Sequence, residues 1–267
     1  MVTDQIDSST PQPARRYNYW LGGKDNFAVD RASGDEILKT FPTARIAALE
    51  NRRFLQRATH YLAAEAGIRQ FLDIGTGLPT ADNTHEVAQR VAPESRIVYV
   101  DNDPMVMVHA RALLTSTPQG RTTYIEADLR DPAKILANED LLATLDLGRP
   151  VALMLVAVLH FIEGYGAGKP IVRTLLDALP SGSYLAVTNA TKDPLSPETA
   201  AAYDAALASG VTNIWPRGRD EFTELFDGLE LVEPGVTPVS EWRAEHETAP
   251  RPDPAHVAMY GAVARKP

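Results

Sequence analysis

The sequence predicts a doubly wound α/β domain, a mostly parallel sheet with helices on both faces. Three observations predict it. From Phe71 onward, short apolar runs alternate with segments of helical periodicity, the order that successive βαβ units produce. Residues 151–159 (VALMLVAVL) are continuously apolar, as a strand buried on both faces must be. Asp73-Ile74-Gly75-Thr76-Gly77 leads from the first apolar run towards a helix, and its glycines let the backbone turn sharply where the strand ends.

The elements follow in order. Residues 1–13 are polar with two prolines and read as a flexible tail. Residues 14–66 form an N-terminal arm with helices. Tyr17, Tyr19 and Trp20 precede Gly22-Gly23, so the arm either plugs its rings into the core or folds over a ligand. A short helix at 32–39 stops before Pro42. Thr43 is placed to cap a helix reaching about residue 66. Its expected apolar stripe is Ile46, Leu49, Phe54, Ala58, Tyr61 and Leu62, with Gly67 at its end.

Residues 67–267 make the sheet domain. Strands are predicted at 71–74, 96–100, 122–127, 151–159 and 184–188, with helices at 83–91, 104–114, 132–145 and 168–179. Pro104 stands in the first turn of its helix, where a missing N–H costs nothing. Helices at 197–209 and 217–226 come next. Strands at 229–238 and 257–264 flank a proline-rich stretch, 243–254, that reads as an exposed loop.

Composition narrows the function classes. The 267 residues carry 26 basic and 35 acidic side chains, a formal net charge of −9. That balance argues against a nucleic-acid partner, which calls for clustered Lys and Arg. The absence of cysteine removes disulfides, thiolate zinc sites and thiol nucleophiles. Neither H-E-x-x-H nor His-x-His occurs, so no metal is expected. No apolar run reaches the roughly 18 residues of a membrane span, and the polar, acidic start is unlike a secretory signal. A cytoplasmic protein without membrane contact is the expectation. No feature sets an oligomeric state.

Two further carboxylates, Asp101 and Asp128, stand at the ends of the second and third predicted strands. Open α/β sheets bind ligands at that edge. Asp101 is placed to accept from ribose hydroxyls, and Asp128 from an adenine amino group with Leu129 against the ring. A dinucleotide loop carries a third glycine, but Thr80 stands in its place and no Walker lysine follows. Asp73, ahead of the first glycine, suits an ammonium group better than a pyrophosphate. The pattern points to S-adenosylmethionine (SAM) rather than NAD.

The order of elements resembles the class I, Rossmann-like SAM-dependent methyltransferases. The strings YNYWLGGKDNF (17–27), FLDIGTGLPT (71–80), NTHEVAQ (83–89) and VYVDNDP (98–104) resemble a group of actinobacterial SAM-dependent methyltransferase-like proteins. The resemblance implies a seven-stranded sheet in the order 3-2-1-4-5-7-6 with strand seven antiparallel. It also implies that Asp73, Gly75 and Gly77 surround the methionine part of SAM. Asp101 would hold the ribose with Asn102 beside the adenine, while Asp128 and Leu129 meet the adenine from its other side. Read as chemistry, the arm covers the mouth of the site, with Tyr19, Gly23, Lys24 and Asn26 near the methionine carboxylate or the substrate. Removing residues 1–27 is then expected to weaken SAM binding and leave the fold intact.

His160 follows the central apolar run and is the candidate general base, since an ordinary imidazole titrates near neutrality. The alternative is a histidine hydrogen-bonded beneath a loop. His85 reads as structural. Trp215 and Trp242 read either as pocket walls or as loop anchors. The expected activity is methyl transfer from SAM to a small-molecule acceptor, leaving S-adenosylhomocysteine (SAH). A non-catalytic SAM- or SAH-binding regulator and an NAD-dependent oxidoreductase are the alternatives.

Overall fold

The computed structural model describes residues 6–113, 115–248 and 250–267. The first five residues of the predicted tail, Leu114 at the end of a predicted helix and Ala249 in the predicted loop lie outside them.

Five parallel strands form the body of the sheet: β1 (Gln70–Ile74), β2 (Arg96–Asp101), β3 (Arg121–Glu126), β4 (Ala152–Leu155) and β5 (Tyr184–Ala190). Their order is β3-β2-β1-β4-β5. The antiparallel β8 (Met259–Arg265) lies against β5, and the dipeptide strands β6 (Glu230–Leu231) and β7 (Thr237–Pro238) both pair with β8. The path β3-β2-β1-β4-β5-β8-β6 is the expected topology, with β8 in the place of strand seven and β7 as a short addition.

Alternate residues of each strand serve opposite cores. Leu72, Val98, Leu153 and Leu185 face one layer, while Phe71, Ile97, Ala152 and Ala186 face the other, as the two-residue period of a strand requires. The helices α4 (Thr84–Val91), α5 (Pro104–Leu113), α6 (Pro132–Leu136), α7 (Glu139–Thr144) and α8 (Gly168–Asp177) fill the crossovers. Asn83 caps α4 in a reciprocal box with Glu86, the arrangement that satisfies two otherwise free N–H groups.

Before the sheet come α1 (Pro13–Trp20), α2 (Ala28–Thr40) and α3 (Ala44–Ala64). The arm is helical, as expected, and its aromatic string begins on α1. The buried side of α3 differs from the predicted stripe: Ile46 and Leu49 are 39% and 45% exposed, whereas Ala47, Ala48, Asn51 and Leu55 are buried beside Phe54, Ala58 and Leu62. Small residues on the first turns leave a hollow; Phe54 then reaches the sheet. A Cβ on Gly261 of β8 would meet the Phe54 ring at 2.8 Å, so the two elements approach as closely as glycine permits.

Three other elements depart from expectation. Only the first part of the apolar run 151–159 is strand; Ala157 has φ +54° and Leu159–Phe161 forms a 3-10 turn, which frees the chain to build the sheet edge. The predicted strand 229–238 is split, because the chain leaves the ladder at Pro234, which has no N–H to give, and Gly235 N–H instead closes a turn on Val232 O. The predicted loop 243–254 is not wholly exposed: Ala244 is buried, and Asp253 caps the short helix α11 (Pro254–Val257). Immediately before it, Trp242 is fully buried with its ring 5.3 Å from Phe54 and 6.0 Å from Tyr61, so it anchors its loop. After β5, α9 (Pro197–Ala208) and α10 (Arg219–Thr223) complete the chain's helices among the described residues.

Candidate functional site

The glycine loop after β1 is fixed by its neighbours. Gly75 N–H donates to Val100 O at 2.7 Å, and Gly77 N–H donates to Asp101 Oδ2 at 2.8 Å. Both glycines have positive φ, +76° and +68°, a region that side chains make costly. They differ in surroundings. A Cβ on Gly75 would strike Val158 at 2.3 Å, while one on Gly77 would meet nothing within 4 Å. Gly75 lets the β4 turn pack close; Gly77 opens onto empty space.

Asp73 and Asp101 flank that loop. Asp73 Oδ2 accepts from Thr84 Oγ1 at 2.6 Å. Burial pushes its carboxyl up to about 6, against the opposing pull of the Thr84 bond and Arg52. Asp101 also accepts from Asp103 N–H at 3.0 Å, and burial likewise raises it to about 6 despite these backbone bonds. Asn102 is exposed and donates to Asp128 Oδ2 at 3.3 Å. Asp128 is clasped by Arg130 at 2.9 and 2.6 Å, and this pairing holds its carboxyl down at about 2. Leu129 is buried in the core behind it. Asp73, Gly75, Gly77, Asp101, Asn102, Asp128 and Leu129 all border one cavity of about 380 Å³.

The opposite wall is the helical arm, in contact through residues other than those expected. Tyr19 turns outward, donating to Asp35 and accepting from Arg45. Lys24 is exposed. Asn26 donates to Asn18 Oδ1 and Gly23 O, closing the turn after α1, and a Cβ on Gly23 would meet Asn18 at 2.3 Å. None of these four residues borders the cavity. Gly23 and Asn26 hold the arm's own turn in shape, while Arg16, Tyr17 and Trp20 present the arm to the cavity. Nor is the arm detachable: Arg15 makes a bidentate pair with Asp103 at 2.9 and 2.8 Å, both side chains almost fully buried. Deleting residues 1–27 would strand the Asp103 carboxylate, contrary to the expectation that the fold survives it.

Two residues on the cavity wall each carry a buried nitrogen without a partner. His160 is 5% exposed, and its Nδ1 makes no hydrogen bond. Burial, with Arg217 and Arg16 adding to it, lowers the imidazole to about 3, so it stays neutral and is a weak proton acceptor. Its backbone O receives Trp215 N–H at 2.6 Å, which makes Trp215 a loop anchor. Arg52, on α3, uses Nη2 to reach Ala81 O and Asn83 Oδ1, both at 3.0 Å, but its Nε is buried and unpartnered. Arg52 acts electrostatically on Asp73. Sequence reasoning missed Arg15, Arg16, Arg52 and Asp103. Arg15 and Arg16, adjacent just ahead of the string 17–27, were the available signal; nothing local marked their partners. His85 is structural, its Nδ1 2.9 Å from Tyr99 Oη. Among the described residues no group of three or more histidine or carboxylate side chains is placed to hold a metal ion. No helix among them is long and apolar enough to cross a membrane.

Comparison with known proteins adds to this geometry. The family model described as S-adenosyl methyltransferase matches residues 1–267. A DUF574 family protein from Streptomyces avermitilis MA-4680 is 48% identical, covering 98% of this chain and 100% of its own, with a TM-score of 0.92. A candidate methyltransferase from Thermobifida fusca YX is 42% identical over 97% of this chain and 96% of its own, at a TM-score of 0.87. An O-methyltransferase family 2 protein from Planctomyces limnophilus DSM 3776, solved with apigenin, shares the fold at 18% identity and a TM-score of 0.50, covering 90% of this chain and 67% of its own. A search of curated proteins gives no match.

Proposed function

Because the chain belongs to the S-adenosyl methyltransferase family, whose cofactor is SAM, we propose that it moves a methyl group from SAM to a small, largely apolar acceptor seated under the helical arm. The observation that carries this reading is the single cavity shared by the sheet-edge acids and the arm. The residues suit SAM on three counts. Gly77 leaves open space at the loop, Arg52 Nε is an orphaned buried donor, and Asp73 and Asp101 supply acceptors without any phosphate cradle.

In this reading Asp73 orients the methionyl ammonium and Arg52, beside it, receives the methionyl carboxylate through charge-assisted bonds. Asp101 accepts from the ribose, and Asn102, Asp128 and Leu129 border the adenine. Bound SAM supplies an electrophilic methyl group on a sulfonium. The protein's own contribution is alignment and exclusion of water, and Trp20, Ile37 and Phe41 on the arm side of the cavity give it the means for both. His160, held neutral, serves as a hydrogen-bonding group on the acceptor wall rather than as the general base. An acceptor that is already nucleophilic, or that gives up its proton easily, fits such a site best.

The NAD-dependent reading falls with the family assignment. One observation favours the regulatory reading, the weak basicity of His160, and turnover separates the two. Calorimetry should show heat with both SAM and SAH, and Asp101→Ala and Arg52→Ala should each weaken SAM by roughly tenfold or more. Labelled SAM incubated with a metabolite panel should transfer its methyl. Binding without transfer across the panel would leave a regulator; no heat with either ligand would end the SAM reading.

A further inference from the structure

Arg15 and Arg16 are adjacent, both buried, and treated differently by the fold. Arg15 has a full counter-charge in Asp103. Arg16, 6% exposed, has only neutral hydrogen-bond partners: Nη1 donates to Ser33 Oγ at 3.2 Å and Nη2 to Asn213 Oδ1 at 2.6 Å. Asp30 acts on it through space without forming an ion pair, and its two oxygens accept the Gln12 and Phe27 backbone N–H groups, each at 2.8 Å. Burial lowers the guanidinium to about 10, leaving it charged at neutral pH. A buried cation without a bonded anion is costly.

Arg16 borders the cavity, as does His160 with its unpartnered Nδ1. The two groups are electrostatically coupled. Beyond the sheet-edge loop the same cavity is lined by the apolar side chains Trp20, Ile37, Phe41, Leu195, Ile214 and Met259, interspersed with neutral polar ones such as Tyr17, Tyr203 and Thr212. The sheet-edge acids, by contrast, lie on the SAM side and would repel an anion.

We propose that the acceptor is an apolar carboxylic acid whose carboxylate pairs with Arg16, His160 giving a further hydrogen bond. The anion supplies the counter-charge that the fold withholds from Arg16, and the hydrocarbon body fills the apolar compartment. Arg16 is thus a specificity residue for the acceptor, distinct from Arg52, which serves the cofactor. The inference rests on the SAM reading above, because that reading assigns the arm-side compartment to the acceptor.

The test uses the full chain saturated with SAH. Benzoate, 2-naphthoate and octanoate are each titrated against the corresponding primary amide by calorimetry at neutral pH. At least one acid should bind roughly tenfold more tightly than its amide. Arg16→Gln should abolish that preference and Arg16→Lys keep part of it, with SAH affinity in both variants close to that of the parent. The proposal is overturned if no acid outbinds its amide, if none binds, or if the preference survives Arg16→Gln. Loss of SAH affinity in Arg16→Gln equal to that in Arg52→Ala would also overturn it, by moving Arg16 to the cofactor. SAH titrated alone reports on the SAM reading separately.

Discussion

The cavity has two walls built on different principles. On the sheet edge, Asp73 and Asp101 are already hydrogen-bonded by their own chain, to Thr84, Gly77 and Asp103. Their geometry is set by strand ends and a glycine loop. On the arm side, positions come from packing of helices against one another, and a buried charge such as Arg16 has only neutral hydrogen-bond partners. The difference teaches that one wall is specified locally and is suited to a ligand shared across a fold. The other is specified by long-range contacts and is free to select a particular acceptor.

The largest expected effect comes from separating the walls. Arg15→Ala leaves Asp103 buried and unpaired, and should cost about 3–5 kcal/mol in a denaturant titration. Breaking the solvent-exposed pair Lys169–Asp227 should leave the denaturant midpoint close to that of the parent. Equal losses would mean that the arm is not held by that pair.

The two glycines sharpen the comparison within the sheet-edge wall. Gly75→Ala combines left-handed strain with a 2.3 Å clash against Val158 and should destabilise by about 2–4 kcal/mol. Gly77→Ala should lose only about 1–2 kcal/mol, yet weaken SAM binding by placing a methyl group in the open space. A Gly77→Ala protein with unchanged SAM affinity would move the ligand away from the loop.

The buried titratable groups of the cavity also respond oppositely to acid. His160, lowered from 6.5 to about 3, contributes stability that is present above 6.5 and lost as pH falls towards 3. Asp73 and Asp101, raised from 3.8 to about 6, contribute stability that is full below 3.8 and lost as pH rises through 6. Between pH about 7.5 and about 5, the parent should lose about 2 kcal/mol relative to His160→Gln. No relative change would show that the imidazole is not desolvated.

Binding shows the other side of the same shift. The ionised carboxylates are the competent form for SAM, so affinity should fall about tenfold for each of the two carboxyls near 6, on the order of a hundredfold in all, from pH about 8 to about 5. Asp101→Asn should bind more weakly at pH 8 and show a shallower fall. The smallest effect belongs to Lys24→Ala: exposed and off the cavity, it should leave SAM affinity unchanged, and a clear loss would restore the arm's turn to the site.

The sequence by itself determined the mostly parallel sheet and its sheet-edge wall, while the order of the strands came from the resemblance of its strings to a family. Strand, glycine turn and terminal acid are consecutive in the chain, so residues 71–77 and 96–101 declare their own geometry through periodicity and glycine's freedom at positive φ. Tertiary structure alone decided the arm. Arg15 meets Asp103 across 88 residues and Arg16 meets Asn213 across 197, and no local pattern encodes which buried charge will find a partner. The aromatic-glycine string marked the arm as special. Which of its residues would face the cavity depended on a helix, α1, whose rotation is fixed by the sheet and by α2 and α3. The same cause exposed Ile46 and Leu49: apolar spacing gives a helix a stripe, and only its neighbours decide which side is covered.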